Sequence, residues 1–343
     1  MMHSLPPRQK DKHLPEPISV IIAARNEAQN LPRLLTSFAQ MHPIDAAYEV
    51  IIINDHSSDD SMEILNNWEG QFGIRVIDFQ DEIEGYIGKK AALQKGIEAA
   101  QYDILAFTDA DCKPPPGWLA EISELMTPET DYLLGYSTIL TKEGESNLTL
   151  VNFERSIYYI LAAAGLYYKK PITASACNMI YRKSLFKKAG GFGGISHLLS
   201  GDDDLQLIKM MPYIRQAYYN PAVKMQVECI EHGSVCKQYH KNIRRASKFR
   251  YHPPHVKKLS AFVFFYFVIF YWAIILLLIG KGDFLLLGTI TLKSLVELAI
   301  SQKHLALVQK TYLGILYFAQ IIIFPLQFIF YGIRGTLGNY KWK

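Results

Sequence analysis

Cysteine is scarce in this sequence of 343 residues, and none of its four cysteines forms a close pair with another. They are Cys112, Cys177, Cys229 and Cys236. The spacing that announces a zinc site in a sequence, two cysteines a few residues apart, is therefore missing. Scattered thiols of this kind are typical of a protein in a reducing compartment.

A strong excess of one charge sign is missing too. The formal net charge is only +4, and no basic segment is interleaved with aromatic residues as in nucleic-acid-binding modules. We therefore expect no nucleic-acid partner. Repeats and low-complexity tracts are absent as well. Length and composition predict one domain of about 250 residues plus a short apolar domain.

The amino end lacks the apolar stretch of a cleavable signal sequence. Residues 1–17 are polar and contain proline. We predict that they form a polar tail and that the large domain after them, residues 18–250, stays in the cytoplasm.

Strand-like and helix-like segments alternate over the first hundred residues. The strand-like segments are rich in Ile and Val, and the helix-like segments carry apolar residues at helical spacing. The predicted strands are Ile18–Ala24, Tyr48–Asn54, Ile74–Asp78 and Asp103–Thr108, and the predicted helices are Glu27–Gln40, Asp59–Trp68 and Gly88–Ala100. This alternation indicates an α/β fold with a parallel sheet covered on both faces. Ligands of such sheets bind beyond the carboxyl ends of the strands.

Polar residues collect at those carboxyl ends. They are Arg25, Asn26 and Glu27 after the first strand, Asp55 after the second, and Asp109 and Asp111 after the fourth. In an extended Asp-x-Asp segment both carboxylates face the same side. Hard oxygen ligands suit Mg²⁺ or Mn²⁺, which usually bridges to substrate phosphates. The sequence therefore predicts a divalent-metal site at Asp109 and Asp111 that receives a nucleotide diphosphate.

Five motifs occur in an order and spacing that resemble glycosyltransferase family 2. They are Val20–Glu27, Ile53–Asp59, Gly88–Leu93, Thr108–Asp111 and Gly201–Leu205. The resemblance covers about residues 15–250 and implies the GT-A fold, the Rossmann-like fold of nucleotide-diphospho-sugar transferases. It also implies a nucleotide-diphosphate sugar as donor.

The resemblance implies a role for each matching position. The residues that would hold the base and ribose of the donor are Ala23, Arg25, Asn26, Glu27 and Asp55. Lys89 or Lys90 would approach its phosphates, and Asp109 would contact both the donor and the metal. Without the resemblance, the sequence around Asp55 has the composition of a turn, and Asn26-Glu27 that of a helix start.

The acids between Gly201 and Leu205 supply the candidate catalytic base. The resemblance aligns the base with Asp203, with Asp202 as the alternative, and puts Gly191, Phe192 and Asp204 on the acceptor side. A carboxylate within reach of the acceptor hydroxyl would take its proton. The alternative is that these acids only stabilise the start of a helix through its dipole.

A basic segment without any acid runs from His232 to Lys258. The family element Gln-x-x-Arg-Trp aligns with Lys241–Arg245, where only Arg244 matches outright. The resemblance implies that Arg244 steadies the diphosphate, since a guanidinium pairs well with phosphate oxygens. The Arg at 245 in place of Trp argues against processive polymer synthesis. The other basic residues are expected to face membrane lipid.

Two segments lack charge over the length needed to cross a bilayer, Ala261–Gly280 and Thr311–Ile333. Between them, Phe284–Ile300 contains Lys293 and Glu297 four residues apart. We predict a third span there, with an interfacial helix as the alternative. The membrane domain is thus expected to occupy residues 251–343.

These patterns and the family resemblance predict a glycosyltransferase, integral to the inner membrane, that acts on a lipid-linked or cell-envelope saccharide at the cytoplasmic face. The resemblance implies that the transfer inverts the anomeric configuration. Three enzyme alternatives remain: a polyisoprenyl-phosphate glycosyltransferase, a processive polysaccharide synthase and a nucleotidyltransferase. The non-enzyme alternative is a membrane scaffold, which would not need acids at both the metal and the base positions.

Overall fold

A computed structural model describes residues 14–140, 150–230, 235–309 and 314–337. These residues contain ten strands: β1 (Ile18–Ala24), β2 (Tyr48–Asp55), β3 (Ile74–Phe79), β4 (Ile104–Phe107), β5 (Cys112–Lys113), β6 (Thr130–Gly135), β7 (Ser137–Leu140), β8 (Met179–Arg182), β9 (Gln216–Asn220) and β10 (Val227–Ile230). The four strands predicted from apolar runs are all present, with ends shifted by at most one residue.

The same residues contain eleven α-helices: α1 (Leu31–Ala39), α2 (Ser61–Asn66), α3 (Lys89–Ala99), α4 (Trp118–Leu125), α5 (Leu150–Tyr167), α6 (Lys183–Lys188), α7 (Asp204–Met210), α8 (Val235–Ser247), α9 (Pro254–Leu278), α10 (Phe284–Leu307) and α11 (Gly314–Leu337). Helix α1 begins four residues later than predicted because residues 25–30 form the loop that follows β1. That loop belongs to the candidate site.

The main sheet has seven strands in the order β3-β2-β1-β4-β8-β6-β9. Strands β1 to β4 are parallel to one another, as predicted. The strands beyond these four, which were not predicted, make the sheet mixed, because β8 runs antiparallel to both β4 and β6. The parallel half carries the carboxyl ends where ligands of α/β sheets bind.

A second sheet has three strands in the order β5-β10-β7, and its first strand in the sequence, β5, comes soon after the end of β4. Strand β5 follows the predicted metal pair directly, and it is antiparallel to β10. Cys112 of β5 and Cys229 of β10 are paired in the register. Both side chains belong to the apolar core under the main sheet.

The chain divides into two compact units. One unit holds the described residues 14–140 and 159–230, and the other holds 150–158, 235–309 and 314–337. The predicted boundary near residue 250 differs from this division, because α8 and the first half of α5 group with the C-terminal helices. Both sheets and the sequence motifs before residue 231 lie in the first unit.

Among the described residues, two helices are long and apolar enough to cross a membrane, α9 and α10. Their outward side chains are large and apolar, and Phe262 of α9 and Phe284 of α10 are 69% and 92% exposed. Such surfaces are unfavourable in water and suit a lipid environment. The helix at the predicted third span therefore exists, whereas residues 311–313 of the last predicted span lie outside the described residues.

The charged pair predicted inside α10 is present. The Nζ atom of Lys293 lies 2.9 Å from Oε2 of Glu297, and the ammonium group also stacks 4.2 Å from the ring centre of Phe270 on α9. Pairing lowers the cost of placing these charges in an apolar helix. Near the C-terminal end of α10, His304 shares a hydrogen bond of 2.5 Å with the hydroxyl of Ser156.

Candidate active site

The two aspartates of the predicted metal pair lie in a turn rather than in an extended segment. Strand β4 ends at Phe107, and the amide of Cys112 then donates to the carbonyl of Asp109 at 3.1 Å. The prediction of an extended Asp-x-Asp segment is therefore wrong. The expectation that the two carboxylates lie close together is correct. The turn brings carboxylate oxygens of Asp109 and Asp111 within 4.8 Å of each other.

Two observations at this turn fit a hard divalent cation. Carboxylate oxygens are the ligands that Mg²⁺ and Mn²⁺ prefer, and the two side chains are only partly buried, which leaves room for waters and phosphate. Beside them, within the described residues, the hydroxyl oxygen of Thr108 is buried without a hydrogen-bond partner. A buried hydroxyl of this kind is costly unless a bound ligand or water satisfies it.

Lys89, at the start of α3, is the lysine that reaches the metal pair. Its ammonium group donates to Oδ1 of Asp109. Burial by itself would lower the pKa of Lys89, but the carboxylates of Asp109 and Asp202 outweigh burial and raise it above its usual range. Burial raises the pKa of Asp109 against the opposing effect of Lys89, and Asp111 raises it further. These aspartates therefore favour the protonated, positively charged form of Lys89.

Lys90 has a different position from its neighbour. Its side chain is buried, and its ammonium group donates to the carbonyl oxygens of Leu198 and, at 3.3 Å, Ser200. Of the two lysines proposed for the phosphates, Lys89 thus faces the aspartates, whereas Lys90 fastens the segment that leads to Asp202. The sequence could not separate them, because which neighbour turns inward depends on the exact start of the helix.

Replacing Lys90 by methionine should destabilise the protein. The substitution keeps the apolar stem but leaves two carbonyl oxygens without their donor, which costs about 1–3 kcal/mol of unfolding free energy. Denaturant unfolding of the full-length protein measures this loss. Lys95→Met, at a half-buried position of the same helix, is the matched control and should change stability by less than 0.5 kcal/mol, roughly the range of surface substitutions. Equal stability of the two variants would contradict the assigned role.

The loop after β1 is fastened to the loop after β2 by side chains. The amide of Asn26 donates to the hydroxyl of Ser57, and its side-chain oxygen accepts from the amide of Ser58 at 2.7 Å. Asn26 has a positive φ of 56°, which asparagine tolerates better than most residues. The Asn26 side chain, predicted to hold the donor, therefore holds the loop. Arg25, the preceding residue on this fixed backbone, has an exposed side chain.

Glu27 and Asp55 lie at the same edge of the sheet. Burial raises the pKa of Glu27, partly offset by its hydrogen bond with Asn30, and the nearby charge of Asp111 raises it further. Asp55 is buried at the end of β2, where Oδ1 lies 2.8 Å from Nδ1 of His56. Ala23, near the end of β1, is the partly exposed residue of an otherwise buried strand. These residues keep their predicted donor role as a proposal.

The three acids at the start of α7 have three different surroundings. Asp202 lines a narrow cleft together with Lys89 and Thr108. Asp203 is the N-cap of α7, and its Oδ1 accepts from the amide of Asp204 at 2.7 Å. Asp204 is buried in the first turn, where it accepts from the amide of Leu205. Asp202 is therefore the acid of the three that lines the cleft with Lys89, and the choice between Asp203 and Asp202 as the base stays a prediction.

Phe192, predicted on the acceptor side, is a core residue. Its ring is only 1% exposed and packs edge-on against Phe186 at 5.0 Å between ring centres. The ammonium group of Lys209 donates to the carbonyl of Gly191 at 2.6 Å and fixes this turn. A direct contact between the Phe192 ring and an acceptor is therefore not supported. The aromatic residue was taken from the motif, whereas its burial depends on packing that the motif does not show.

Arg244 lies on α8 in the other unit, so its approach to the diphosphate stays a prediction. Its carbonyl oxygen accepts from the hydroxyl of Ser247 at 2.9 Å.

Three of the cysteines that are scattered along the sequence lie close together in the structure. The sulfur atoms of Cys112, Cys177 and Cys229 lie within 4.8 Å of one another. Cys177 donates to Oδ2 of Asp109 at 3.1 Å, and Cys112 to Oδ1 of Asp111 at 3.3 Å. Spacing along the chain could not show this cluster, because its members meet through pairings between distant strands. The side chain of Cys236 lies outside the described residues.

A family profile described as Glycosyl transferase family 2 matches residues 19–190, half of the chain. The chain belongs to glycosyl transferase family 2. The matched range includes the loop after β1, the helix start with Lys89 and Lys90, and the turn with Asp109 and Asp111, and it stops before Asp202.

Among characterised relatives, glycosyltransferase AglE of Haloferax volcanii is 28% identical over 193 residues, which are 54% of this chain and 58% of AglE. The undecaprenyl-phosphate 4-deoxy-4-formamido-L-arabinose transferase of Sodalis glossinidius is 28% identical over 115 residues, 33% of this chain and 35% of that protein. The match thus spans little more than half of the first relative and about a third of the second.

The solved structure of the mannosyltransferase PcManGT from Pyrobaculum calidifontis, in complex with GDP-Man and Mn²⁺, has a similar fold. The TM-score is 0.58 at 17% identity, and the match covers 94% of this chain and 87% of that one. At this identity the likeness concerns the fold alone. Together with the family match, it confirms the predicted GT-A fold.

Proposed function

We propose that this family 2 glycosyltransferase moves a sugar from a nucleotide-diphosphate donor to a lipid-linked or cell-envelope saccharide at the cytoplasmic face of the inner membrane. One observation carries the proposal. Lys89, Asp109, Asp111 and Asp202 come together at the carboxyl ends of the parallel strands, where α/β folds bind ligands. Their charges suit a diphosphate leaving group and a hydroxyl nucleophile.

Asp109 and Asp111 would hold Mg²⁺ or Mn²⁺. When bound, the cation acts as a Lewis acid that neutralises charge developing on the departing diphosphate. Lys89 contributes positive charge from the chain itself and is raised in basicity by its acidic neighbours. The loop that Asn26 fixes would hold the base and ribose, with Asp55 behind it. By resemblance to the family, Arg244 of this chain would add a guanidinium group that pairs with the phosphates.

Asp202 would act as the general base. Its carboxylate accepts the proton of the acceptor hydroxyl while that oxygen forms a bond to the anomeric carbon, and the bond from that carbon to the diphosphate breaks with its electron pair going to the diphosphate. A single displacement of this kind inverts the anomeric configuration. General-base catalysis by a positioned carboxylate accelerates such a step by roughly 10²- to 10⁴-fold.

The apolar surfaces of α9 and α10 support an acceptor presented by the membrane. An enzyme held in the bilayer meets a lipid-borne saccharide by diffusion in two dimensions, and basic residues next to the first span attract the phosphate of such a lipid. Lys257 and Lys258 occupy this position in α9.

A second candidate is transfer to a polyisoprenyl phosphate, which the name of the Sodalis glossinidius relative favours. A phosphate acceptor is already ionised and needs no strong base. The effect of removing Asp202 therefore separates the two candidates, since a saccharide hydroxyl needs the base and a phosphate does not.

The donor is identified by a thermal-shift screen of the full-length protein in detergent against nucleotide sugars with Mn²⁺. A ligand of the folded state raises apparent stability by about 2.7 kcal/mol at a concentration 100 times its dissociation constant. We expect one nucleotide base to give the largest shift and chelation to abolish it. No shift with any nucleotide sugar or nucleoside diphosphate would contradict the proposed function.

A further inference from the structure

Three of the four cysteines meet beside the metal pair, at a place that the proposed transfer does not use. They are Cys112, Cys177 and Cys229, here called the thiol cluster, and their sulfur atoms lie within 4.8 Å of one another. We propose that the thiol cluster is a second metal site, specific for a thiophilic cation of the Zn²⁺ class and adjacent to the site for the hard cation at Asp109 and Asp111.

The fold builds the cluster from three separate parts of the chain. Cys112 and Cys229 are directly paired neighbours on the antiparallel strands β5 and β10. Cys177 lies two residues before β8, in a single 3₁₀ turn, Ala176–Asn178, and its sulfur donates a hydrogen bond to Oδ2 of Asp109. Sheet pairing therefore fixes two members of the cluster, and the turn that leads into β8 places the third.

Hydrogen bonds hold the residues next to each cysteine. Arg33 donates to the carbonyl of Asp111 at 2.6 Å and to that of Glu228 at 3.3 Å, and so ties the neighbours of Cys112 and Cys229 together. Asn178, fully buried beside Cys177, accepts from the indole of Trp118 at 3.0 Å and donates to the carbonyl of Tyr136 at 2.9 Å. Ligands whose backbone is fixed in this way need little reorganisation to bind a metal.

The donor atoms suit a soft or borderline cation. Thiolates select Zn²⁺ and similar ions over Mg²⁺ and Mn²⁺, which prefer oxygen. Sulfur atoms around a tetrahedral zinc ion lie about 3.8 Å apart, given a Zn–S bond of about 2.3 Å. The observed limit of 4.8 Å is larger by about one ångström, a difference within reach of a small rotation at each side chain. Binding replaces three S–H bonds by three S–metal bonds and releases three protons to solvent.

A carboxylate can complete the four-coordinate shell. Oδ2 of Asp109 lies 3.1 Å from the Cys177 sulfur, and Oδ1 of Asp111 lies 3.3 Å from the Cys112 sulfur. A cation in the thiol cluster would therefore draw one of these oxygens away from the hard-cation site. We expect Zn²⁺ to inhibit Mn²⁺-dependent nucleotide binding, a consequence that rests on the proposed function.

Buried cysteines are often only small apolar core residues, and the experiment separates that role from a metal site. The reduced, metal-free full-length protein in detergent is titrated with Cd²⁺, which gives ultraviolet sulfur-to-metal charge-transfer absorption when thiolates bind it. We expect saturation at one Cd²⁺ per chain, displacement by Zn²⁺, and no displacement by a large excess of Mn²⁺. This readout does not require transfer activity or nucleotide binding.

Each of Cys112→Ser, Cys177→Ser and Cys229→Ser should weaken Cd²⁺ binding at least tenfold, whereas Cys236→Ser should leave it unchanged. Where a serine at one of the two core positions prevents folding, alanine at that position, a small residue suited to an apolar core, replaces it in the test. Absence of charge-transfer absorption in protein whose thiols are counted as free would overturn the proposal. So would unchanged binding in all three variants, a requirement for Cys236, or a disulfide in protein purified from a reducing cytoplasm.

The inhibition is measured separately, by the Mn²⁺-dependent thermal shift with nucleotide. One equivalent of Zn²⁺ should weaken nucleotide binding at least tenfold in the parent protein and leave Cys229→Ala unaffected, because this substitution removes a sulfur ligand without touching either aspartate. If Cd²⁺ binds the cluster but no nucleotide binds under any condition, the metal site stands and the proposed function fails.

Discussion

The Asp202→Asn variant is expected to lose transfer activity by roughly 10²- to 10⁴-fold while still binding the donor. Asparagine keeps the shape of the side chain but cannot accept the proton of the acceptor hydroxyl. Asp202 lines the cleft with Lys89, so the loss should appear in kcat with a saccharide acceptor. Single-turnover assays of the full-length protein, together with thermal shift for the donor, separate the two steps.

Asp203→Asn is the matched control. Asp203 caps α7 through its side-chain oxygen, and asparagine caps a helix about as well as aspartate. We expect turnover within about threefold of the parent, since a retained cap leaves both the fold and the cleft intact. A large loss in Asp203→Asn with near-normal turnover in Asp202→Asn would return the base to Asp203. Near-normal turnover in both variants would favour a phosphate acceptor that needs no base.

Removing the carboxylate of Asp111 is expected to abolish metal-dependent donor binding. Asp111→Ala leaves Asp109 as the single carboxylate of the turn, so the Mn²⁺-dependent affinity for the donor should fall at least a hundredfold, or about 2.7 kcal/mol. The residue lies in a turn and is only partly buried, so stability without ligand should fall by less than about 1 kcal/mol. Titration of donor into the full-length protein, once with Mn²⁺ and once with chelator, measures the affinity for the donor with and without the metal.

Asp60→Ala provides the control for this change. Asp60 is an exposed acid that precedes α2 without a side-chain capping bond, so its removal lowers the negative charge of the same unit without touching the turn. Its donor affinity should equal that of the parent. Equal Mn²⁺-dependent affinity in Asp111→Ala and the parent would remove the metal from this pair of residues.

The parts of the fold that follow from local patterns could be predicted from the sequence. Apolar runs predicted β1 to β4, and the absence of charge over Ala261–Gly280 indicated the helix α9. Helix α10 was predicted as a further span in spite of Lys293 and Glu297. The closeness of Asp109 and Asp111 was predicted for a partly wrong reason. The two aspartates converge because the chain turns at Asp109–Cys112, and a turn of four residues is harder to distinguish from a strand end than a helix from a strand.

Positions that depend on contacts between distant parts of the chain could not be predicted. The inward direction of Lys90, the burial of Phe192 and the capping role of Asp203 are each decided by neighbours that no motif names. The thiol cluster is the clearest case. Its three cysteines appear scattered in the sequence. The pairing of β5 with β10 joins two of them, and the turn before β8 adds the third.

The central claim is that the protein transfers sugar from a nucleotide donor to an acceptor in the membrane. The most direct measurement uses full-length protein in vesicles that contain a lipid-linked saccharide, with radiolabelled nucleotide sugar and Mn²⁺. We predict that the amount of labelled sugar in the lipid fraction equals the amount of nucleoside diphosphate released. Chelation of the metal should stop both the labelling and the release. Release of pyrophosphate in place of a nucleoside diphosphate, or labelled soluble saccharide formed as fast as labelled lipid, would contradict the account.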